Sequence, residues 1–454
     1  MIRTYQRHVI APGAARLGLW VACVAQLMVV LDISVVNVAL PSIRSDLRLT
    51  AEMSSWVALA YTLGFAGALL VGARLADIFG TARALAGGVA AFTIASVIGG
   101  VADSGALLVG ARAVQGLSAA VTSPATFTLL TRTFDEGEER TRAIAVWAAV
   151  SLAGGGLGNV VSGVLTEAVS WRAVLLVNLP VGVLVVVGTL LLRRRTPLGE
   201  AGAGRLDLVG AALATGGFTA TTYAFSAAGG SGGAKGGMLA AVVGAGVFGA
   251  LALQQRRSRS PLVPPALLRS RPLVIGNLAT ALTAVCFQVG LWYFLTFRMQ
   301  GGLGLTPIEA GVAFLPLTVS TLVVNLWVTP RLMRAMPAAT LVAGGGVVAA
   351  LGLIWLAVTG GVDFVVGVLA PSLVVGIGGG LLNTPLATIV TTGVRPEEAG
   401  AASGLMNTAK QFGGAIGLAA ASTAASAAGG DAAPFALMAG ALAVAVVLAG
   451  LLRR

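Results

Sequence analysis

Apolar stretches of about 20 residues, each long enough to cross a hydrocarbon core of about 30 Å as an α-helix, recur from Leu17 to Leu452. Only 10% of the 454 residues are charged, and the mean hydropathy is +0.92. This pattern predicts an all-α integral membrane protein with many spans. The lipid bilayer is therefore the first partner that the sequence implies.

Breaks between the apolar runs predict about fourteen transmembrane helices. The first six lie near residues 17–41, 55–75, 83–101, 105–131, 142–165 and 172–192. A pair follows near 206–227 and 237–254. The last six lie near 273–297, 307–329, 338–358, 363–391, 401–426 and 433–452.

The distribution of positive charges predicts that both chain termini are cytoplasmic. With that orientation most of the 29 Lys and Arg residues lie in cytoplasmic segments, as the positive-inside rule requires. The external ones are Arg44, Arg48, Arg172, Lys235 and Arg298, and Arg112 and Lys410 lie within spans. The net charge of +12 therefore reflects topology and does not indicate a nucleic-acid partner.

The first apolar run is expected to stay in the protein. It is too long for a cleavable signal peptide, contains Asp32 and ends in a turn at Pro41. Residues 1–16 are expected to form a cytoplasmic tail. Cys23 and Cys286 fall within predicted spans, where thiols behave as small buried apolar groups, so a disulfide framework is not expected.

Two arginine-rich segments, RRRTPLGEAGAGR and QQRRSRSPLVPPALLRSR, divide the chain into six, two and six helices. In the plainer interpretation they are ordinary solvated linkers. The predicted domains are a tail (1–16), an amino-terminal six-helix half (17–195), linkers with an extra helix pair (196–271) and a carboxy-terminal six-helix half (272–452).

The two predicted halves share an internal repeat. TSPATFTLLTRTFDEGEER ends the fourth helix, and NTPLATIVTTGVRPEEAG ends the fourth helix of the last six. The next helix carries Gly154 and Gly158 in one half and Gly413 and Gly417 in the other. Small residues four apart let helices approach closely, and ordinary packing explains any single pair. The paired occurrence indicates two homologous halves, an arrangement common in transporters with a central site.

Asp32 and Arg112 are charges at bilayer depth. A carboxylate there costs roughly 2.5–3.5 kcal/mol on insertion scales, so Asp32 is a candidate functional residue. At 1.5 Å per residue, Asp32 lies about 13 Å from the outer end of its helix, and Arg112 about 10 Å from the outer start of the fourth helix. If the two residues lie at the same depth, the arginine favours the charged form of the carboxylate, whereas burial favours the protonated form. A carboxylate balanced between these effects can bind and release a proton. The alternative is a static ion pair that fixes helix packing.

Other polar side chains in the spans are candidates for a substrate cavity. Gln115 lies close to the face of Arg112, where it can bond the guanidinium or a substrate. Lys410, about 15 Å into its helix, must face a cavity, pair with a carboxylate, bind an anionic group or reach back to the surface. The further candidates are Gln288, Trp292, Asn325, Asn383 and Gln411, with Met28, Phe65, Trp147, Tyr293, Met406 and Phe412 beside them. Met and aromatic surfaces suit amphipathic organic molecules, and core packing is the alternative for each residue.

Five ordered motifs resemble the major facilitator superfamily, and specifically its fourteen-span drug:proton antiporter branch. They are LDISVVNVALP, WVALAYTLGFAGALLVGARLADIFG, ARAVQGLSAAVTSP, SWRAVLLVNLPVG and SGLMNTAKQFGGAIG, and the resemblance runs from about Leu31 to Leu418. It implies two six-helix halves with a central extra pair, and a role for Arg112 in proton handling. It also implies a cytoplasmic gate at Asp77, Gly80 and Arg83.

The chain departs from that family at two places. In the gate loop, Ala73, Ile78, Thr81 and Ala82 stand where Gly or basic residues are usual. In the fifth helix, Asn159 stands where the antiporter branch has Pro, and Ser162 stands in place of a Gly, while Gly158 and Gly163 remain as packing or hinge residues. Loss of the Pro removes one cause of a kink, and an Asn there can line the cavity.

Enzyme function is not expected. His8 is the single histidine, no GxxxxGK[ST] loop occurs, and GAGVFG at Gly244 matches GxGxxG only within an apolar span. No cofactor or metal is therefore expected. The sequence predicts a monomeric, proton-driven exporter of hydrophobic or amphipathic drugs in a bacterial cytoplasmic membrane. An exporter of an endogenous metabolite or siderophore is the first alternative, and a transport-inactive sensor or scaffold is the second.

Overall fold

The structure, a computed structural model, describes residues 12–135, 137–195, 207–228, 233–258, 267–360, 363–395 and 399–452. Within these ranges the chain forms helices and no strand, so the predicted all-α class is confirmed. Eleven helical stretches of the described residues are long and apolar enough to cross a membrane.

The amino-terminal part of the chain forms seven consecutive helices. They are α1 (Pro12–Asp46), α2 (Ala51–Phe79), α3 (Thr81–Gly100), α4 (Gly105–Thr133), α5 (Glu138–Ala168), α6 (Trp171–Leu176) and α7 (Asn178–Arg195). Residues 12–16, predicted as part of the tail, therefore belong to α1, and residues 1–11 lie outside the described residues.

The extra pair is α8 (Leu208–Ala228) and α9 (Gly233–Arg257). The second half follows as α10 (Arg271–Phe287), α11 (Gly290–Phe297), α12 (Pro307–Ala313), α13 (Leu315–Val323), α14 (Thr329–Leu332), α15 (Ala338–Val358), α16 (Ala370–Gly380), α17 (Asn383–Thr391), α18 (Ala399–Ala428) and α19 (Ala432–Leu451). Three π-helical turns, Arg298–Gly302, Val324–Val328 and Val365–Leu369, join some of these pieces. The predicted linkers at 196–206 and 259–266 lie outside the described residues.

Several predicted single helices are stacks of shorter ones. The predicted helix at 363–391 is interrupted at Leu381 and Leu382, because Pro385 supplies no N–H and its ring clashes with the carbonyl of Leu381. Pro316 interrupts the predicted helix at 307–329 for the same reason. These breaks expose backbone groups inside the bundle, where side chains can bind them.

The side of the bundle where α1 begins is called here the terminal side, and the side where α1 ends at Asp46 the opposite side. The two halves meet on the opposite side. Gln300 Nε2 donates to the carbonyl oxygen of Val38 at 2.8 Å, and Ser55 Oγ lies 3.1 Å from Ser422 Oγ. The described halves are therefore joined there by polar contacts.

The apolar cores also connect the two halves. One continuous core takes residues from both halves, among them Leu40 and Leu291 on the opposite side, and extends within the second half as far as Ile389. The other described cores lie within single halves, one around Leu129 in the first half and one around Leu273 in the second. The described halves thus share one core, and each also has a smaller core of its own.

Helix α8 lies along both halves, against α2 and α18. A Cβ atom at Gly67 of α2 would lie 2.0 Å from Thr215 Oγ1 of α8, so only glycine permits this approach. On the other flank, Thr423 Oγ1 of α18 donates to the carbonyl oxygen of Phe225 at 2.6 Å. Helix α9 packs on the outside of α8.

Candidate functional site

A buried ion pair joins α1 and α4. Arg112 Nη1 donates to Asp32 Oδ2 in a short contact, and the two residues are 2% and 0% exposed. The side chains that the helical rise placed at one level therefore meet. Two glycines bring α2 and α4 close. A Cβ at Gly116 of α4 would lie 2.1 Å from the carbonyl oxygen of Tyr61, and a Cβ at Gly64 of α2 would lie 2.7 Å from that of Ala113.

The second carboxylate oxygen of Asp32 is held by two amides. Gln115 Nε2 donates to Asp32 Oδ1 at 3.0 Å, and Asn178 Nδ2 donates to it at 2.8 Å. The same amides lie 2.7 and 3.3 Å from Ser96 Oγ. The carboxylate on α1 is thus bound by side chains of α4 and α7, and Ser96 of α3 accepts from the two amides. Gln115 therefore lies in this network rather than in an open cavity.

The guanidinium of Arg112 is also fully surrounded. It donates to Gln115 Oε1 at 3.1 Å and to the carbonyl oxygen of Val57 at 3.4 Å. Its central carbon lies 4.5 Å from the ring centroid of Tyr61, a cation–π distance. Removing either partner of this pair would leave the other charge buried without its counter-ion, which destabilises the fold.

A second polar cluster lies in the other half. Lys410 Nζ of α18 donates to Asn383 Oδ1 at 2.6 Å, and Gln288 Nε2 donates to Gln411 Oε1 at 3.1 Å. A cavity of about 60 Å³ touches Lys410, Asn383 and Gln288 together with Thr280, Thr283, Phe287 and Met406. The structure therefore brings together three of the predicted cavity residues, with Gln411 as their neighbour.

Two other predicted cavity residues lie apart from that cavity. Trp292 Nε1 donates to the carbonyl oxygen of Phe287 at 3.1 Å, where the break between α10 and α11 frees the backbone, and its ring stands 5.1 Å from that of Phe314. Asn325, in a π-helical turn, accepts a bond from Thr384 Oγ1 at 2.9 Å. Both contacts tie neighbouring helices of the second half.

The predicted gate is described only in part. Gly80 ends α2 and begins the turn to α3 with φ 86°, a left-handed conformation that favours glycine. Arg83 is exposed. The side chain of Asp77 lies outside the described residues.

The paired glycines occupy matching places in the two halves. A Cβ at Gly158 would lie 2.7 Å from Ser34 Cβ of α1, and a Cβ at Gly154 would lie 2.9 Å from Leu27 of α1. In the second half, Gly413 and Gly417 face α10 in the same way, with a Cβ at 2.1 Å and 2.5 Å from its backbone. Each glycine pair thus permits close contact with the first helix of its own half.

Gly163 serves a different contact. A Cβ there would lie 2.4 Å from the carbonyl oxygen of Pro307, across the boundary between the halves. A Cβ at Gly311 of α12 would likewise lie 2.5 Å from the carbonyl oxygen of Asn159. The side-chain amide of Asn159 is buried within this crossing, and neither its oxygen nor its nitrogen has a described partner.

Sequence reasoning missed three residues. Asn178 binds Asp32, and Ser96 accepts hydrogen bonds from the amides of Gln115 and Asn178. Only the motif SWRAVLLVNLPVG contains the first of them. The third is Arg298, which was predicted to lie on the external side but not to be buried, and which is 4% exposed. It donates to Asp431 Oδ2 at 2.5 Å and to the carbonyl oxygen of Leu356 at 2.7 Å, because its π-helical turn directs it into the second half.

No group of three His, Cys, Asp or Glu side chains that could hold a metal occurs in the part of the chain that the structure describes.

Comparison with known proteins gives one family. A sequence model of the Major Facilitator Superfamily matches residues 22–418. The chain is 46% identical over 414 residues to the cephamycin export protein CmcT of Amycolatopsis lactamdurans, covering 90% of this chain and 84% of that protein. It is 40% identical over 406 residues to the puromycin resistance protein pur8 of Streptomyces alboniger, covering 88% and 80%. The fold matches the POT family transporter PepTSo with a TM-score of 0.71, 14% identity and 98% of each chain covered.

Proposed function

The chain belongs to the major facilitator superfamily, and from that premise we propose that it exports hydrophobic or amphipathic antibiotics in exchange for protons. Similar proteins named for antibiotic export or resistance support the direction and the substrate class. They include the cephamycin and puromycin proteins and the tetracenomycin C resistance and export protein of Streptomyces glaucescens.

The proposal places the protein in the bacterial cytoplasmic membrane as a monomer with fourteen spans. Eleven helical stretches meet the length and hydropathy required, and the long helices α2, α8 and α18 supply the other three. Both termini lie in the cytoplasm, so the terminal side is the inner side. The first half comprises residues 17–195 and the second 272–452, with the extra pair between them.

The observation that carries proton coupling is the ion pair of Asp32 and Arg112. Asp32 is a carboxylate without exposed surface inside a helical bundle, held by one cation and two neutral amides. Protonation of Asp32 removes its attraction to Arg112 and frees the guanidinium to move. Because Asp32 is closed to water in this conformation, proton exchange requires the surrounding helices to shift.

The packing of the halves supports alternating access. Contacts between the halves lie on the opposite side, so the arrangement corresponds to a state closed to the exterior and facing the cytoplasm. The substrate cavity lies between the halves, bordered by the second-half cluster around Lys410 and Gln288. Asp77, Gly80 and Arg83 form the cytoplasmic gate when the halves rock to the other state.

The test is uptake of labelled puromycin or a labelled cephamycin into inverted membrane vesicles energised by an imposed pH gradient. Asp32→Asn is expected to abolish uptake driven by the gradient, since residue 32 can no longer gain and lose a proton. Asp103→Asn, which neutralises an exposed carboxylate between α3 and α4, is the matched control and should leave uptake unchanged. Gradient-driven uptake that survives Asp32→Asn would show that coupling lies elsewhere.

A second candidate is the export of a secondary metabolite made by the host cell. The observation that favours it is the similarity to a protein named as a probable actinorhodin transporter of Streptomyces coelicolor. Deleting the gene should then make one of the cell's own products accumulate inside the cell. A deletion strain that changes only in sensitivity to added antibiotics would argue for drug export instead.

A further inference from the structure

Among the described residues, Lys410 has no counter-ion. It lies about 16 Å along α18 from Ala399, well inside the helix. Its one described partner is the neutral oxygen of Asn383, at 2.6 Å. The other cations deep in the bundle, Arg112 and Arg298, each pair with a carboxylate.

This arrangement is costly unless a negative charge arrives from outside the chain. An ammonium within a membrane-spanning segment costs roughly 2.5–3.5 kcal/mol on insertion scales and normally pairs or faces a cavity. Lys410 faces a cavity whose wall mixes the hydroxyls of Thr280 and Thr283 with the apolar side chains of Phe287 and Met406. The cavity therefore offers both a charge and an apolar surface.

The donors are suited to a carboxylate. The ammonium of Lys410 has three protons, of which one is directed to Asn383 Oδ1. The amide nitrogen of Asn383 has no partner among the described residues, so a second donor stands beside the first. An anionic oxygen pair that meets both donors forms charge-assisted bonds, which are stronger than neutral ones.

The size of the cavity limits what enters it. A water molecule occupies about 30 Å³ of liquid, so a cavity of about 60 Å³ holds a carboxylate group. Drug-sized ligands need pockets of about 300–1,000 Å³. The rest of such a molecule must therefore lie outside this cavity.

We propose that Lys410 and Asn383 form the subsite that binds the carboxylate of an amphipathic organic acid, so that the exporter prefers anionic substrates. This inference rests on the proposed function, because it names the substrate class of the same transport path. It assigns the apolar part of the substrate to the space between the halves and the charged part to the second half. In this proposal Asp32 binds the proton and Lys410 binds the anionic group of the substrate.

The test measures equilibrium binding of a carboxylate-bearing cephamycin and of its methyl ester to the full chain. The protein is held in nanodiscs of neutral phosphatidylcholine, so no anionic lipid headgroup competes for the lysine. Wild-type protein should bind the acid at least about 10-fold more tightly than the ester, equivalent to about 1.4 kcal/mol. Lys410→Gln should lose this preference while binding the ester as before, and ester binding also reports that the variant is folded.

The chain supplies a matched control, because its only other lysine, Lys235, is exposed near the start of α9. Lys235→Gln should keep the full preference for the acid, and Lys410→Arg should keep most of it. Equal affinities of the acid and ester for wild-type protein, no binding of the acid, or a preference that survives Lys410→Gln would each overturn the proposal. The proposed function is judged separately by gradient-driven uptake of puromycin, which carries no carboxylate.

Discussion

Replacing Arg112 by methionine removes the counter-charge of a carboxylate that has no exposed surface. Gln115 and Asn178 would still donate to Asp32 at 3.0 and 2.8 Å, but both are neutral. Breaking a buried ion pair by removing one partner costs about 3–5 kcal/mol. We therefore expect Arg112→Met to lower the free energy of unfolding by about that amount.

Neutralising Asp32 instead is expected to lower the free energy of unfolding by less than Arg112→Met does. In Asp32→Asn the guanidinium keeps Gln115 Oε1 at 3.1 Å, the carbonyl oxygen of Val57 at 3.4 Å and the ring of Tyr61. The loss is then close to one hydrogen bond to a charged group, about 1.5–3 kcal/mol. Once residue 32 is neutral, Arg112→Met no longer strands a charge, so it should cost at least about 2 kcal/mol less than in the wild-type background.

The assay is reversible unfolding of the purified protein in mixed detergent micelles, followed by tryptophan fluorescence, for the wild type, both single variants and the double variant. Arg172→Met is the control, because its ion pair with Asp46 is 37% and 47% exposed and exposed pairs contribute at most about 1 kcal/mol. An equal loss on Arg112→Met in the two backgrounds would refute the view that Arg112 compensates the charge of Asp32.

Two further predictions concern the contact between the halves on the opposite side. The hydroxyl oxygens of Ser55 and Ser422 are 3.1 Å apart, so cysteines at these two positions should form a disulfide on oxidation. The disulfide should stop transport until a reductant is added. Transport by the oxidised, fully crosslinked protein would contradict alternating access through this contact. Gly163→Ala places a Cβ 2.4 Å from a backbone oxygen of α12, so overpacking of about 1–3 kcal/mol should disfavour the closed contact and slow transport. The control is Gly155→Ala on the same helix, where the nearest described atom would be 4.0 Å away, and equal uptake rates for the two variants would rule the explanation out.

Helical periodicity was sufficient to predict that Asp32 and Arg112 meet, since the axial rise of a helix is fixed and both residues lie at known distances from helix ends. It could not predict Asn178 or Ser96. Those residues come from two other helices, and the rotation of each helix about its axis depends on packing. The same limit applies to the second half. Lys410, Asn383 and Gln288 line one cavity, whereas Trp292 and Asn325, predicted to line it as well, form hydrogen bonds elsewhere.

Charge rules did not predict the burial of Arg298 for a related reason. A charged residue near the end of an apolar run is normally external, and hydropathy assigns it to a loop. The π-helical turn rotates the chain locally, and Asp431 from a distant helix supplies the compensating charge. Neither a local turn of that kind nor a partner far along the chain is visible in a hydropathy pattern.

The position of α8 restricts how the two halves can rotate relative to each other. It interlocks with α2 through Gly67, where backbone and side chain are in close contact, and it reaches α18 through the single described hydrogen bond from Thr423 and a stacked pair of rings, Phe218 and Phe412. A rigid helix cannot keep its contacts with both α2 and α18 when the angle between the halves changes. In the proposed alternating-access cycle we therefore expect α8 and α9 to move with the first half, to which α8 is interlocked at Gly67, and to slide along α18.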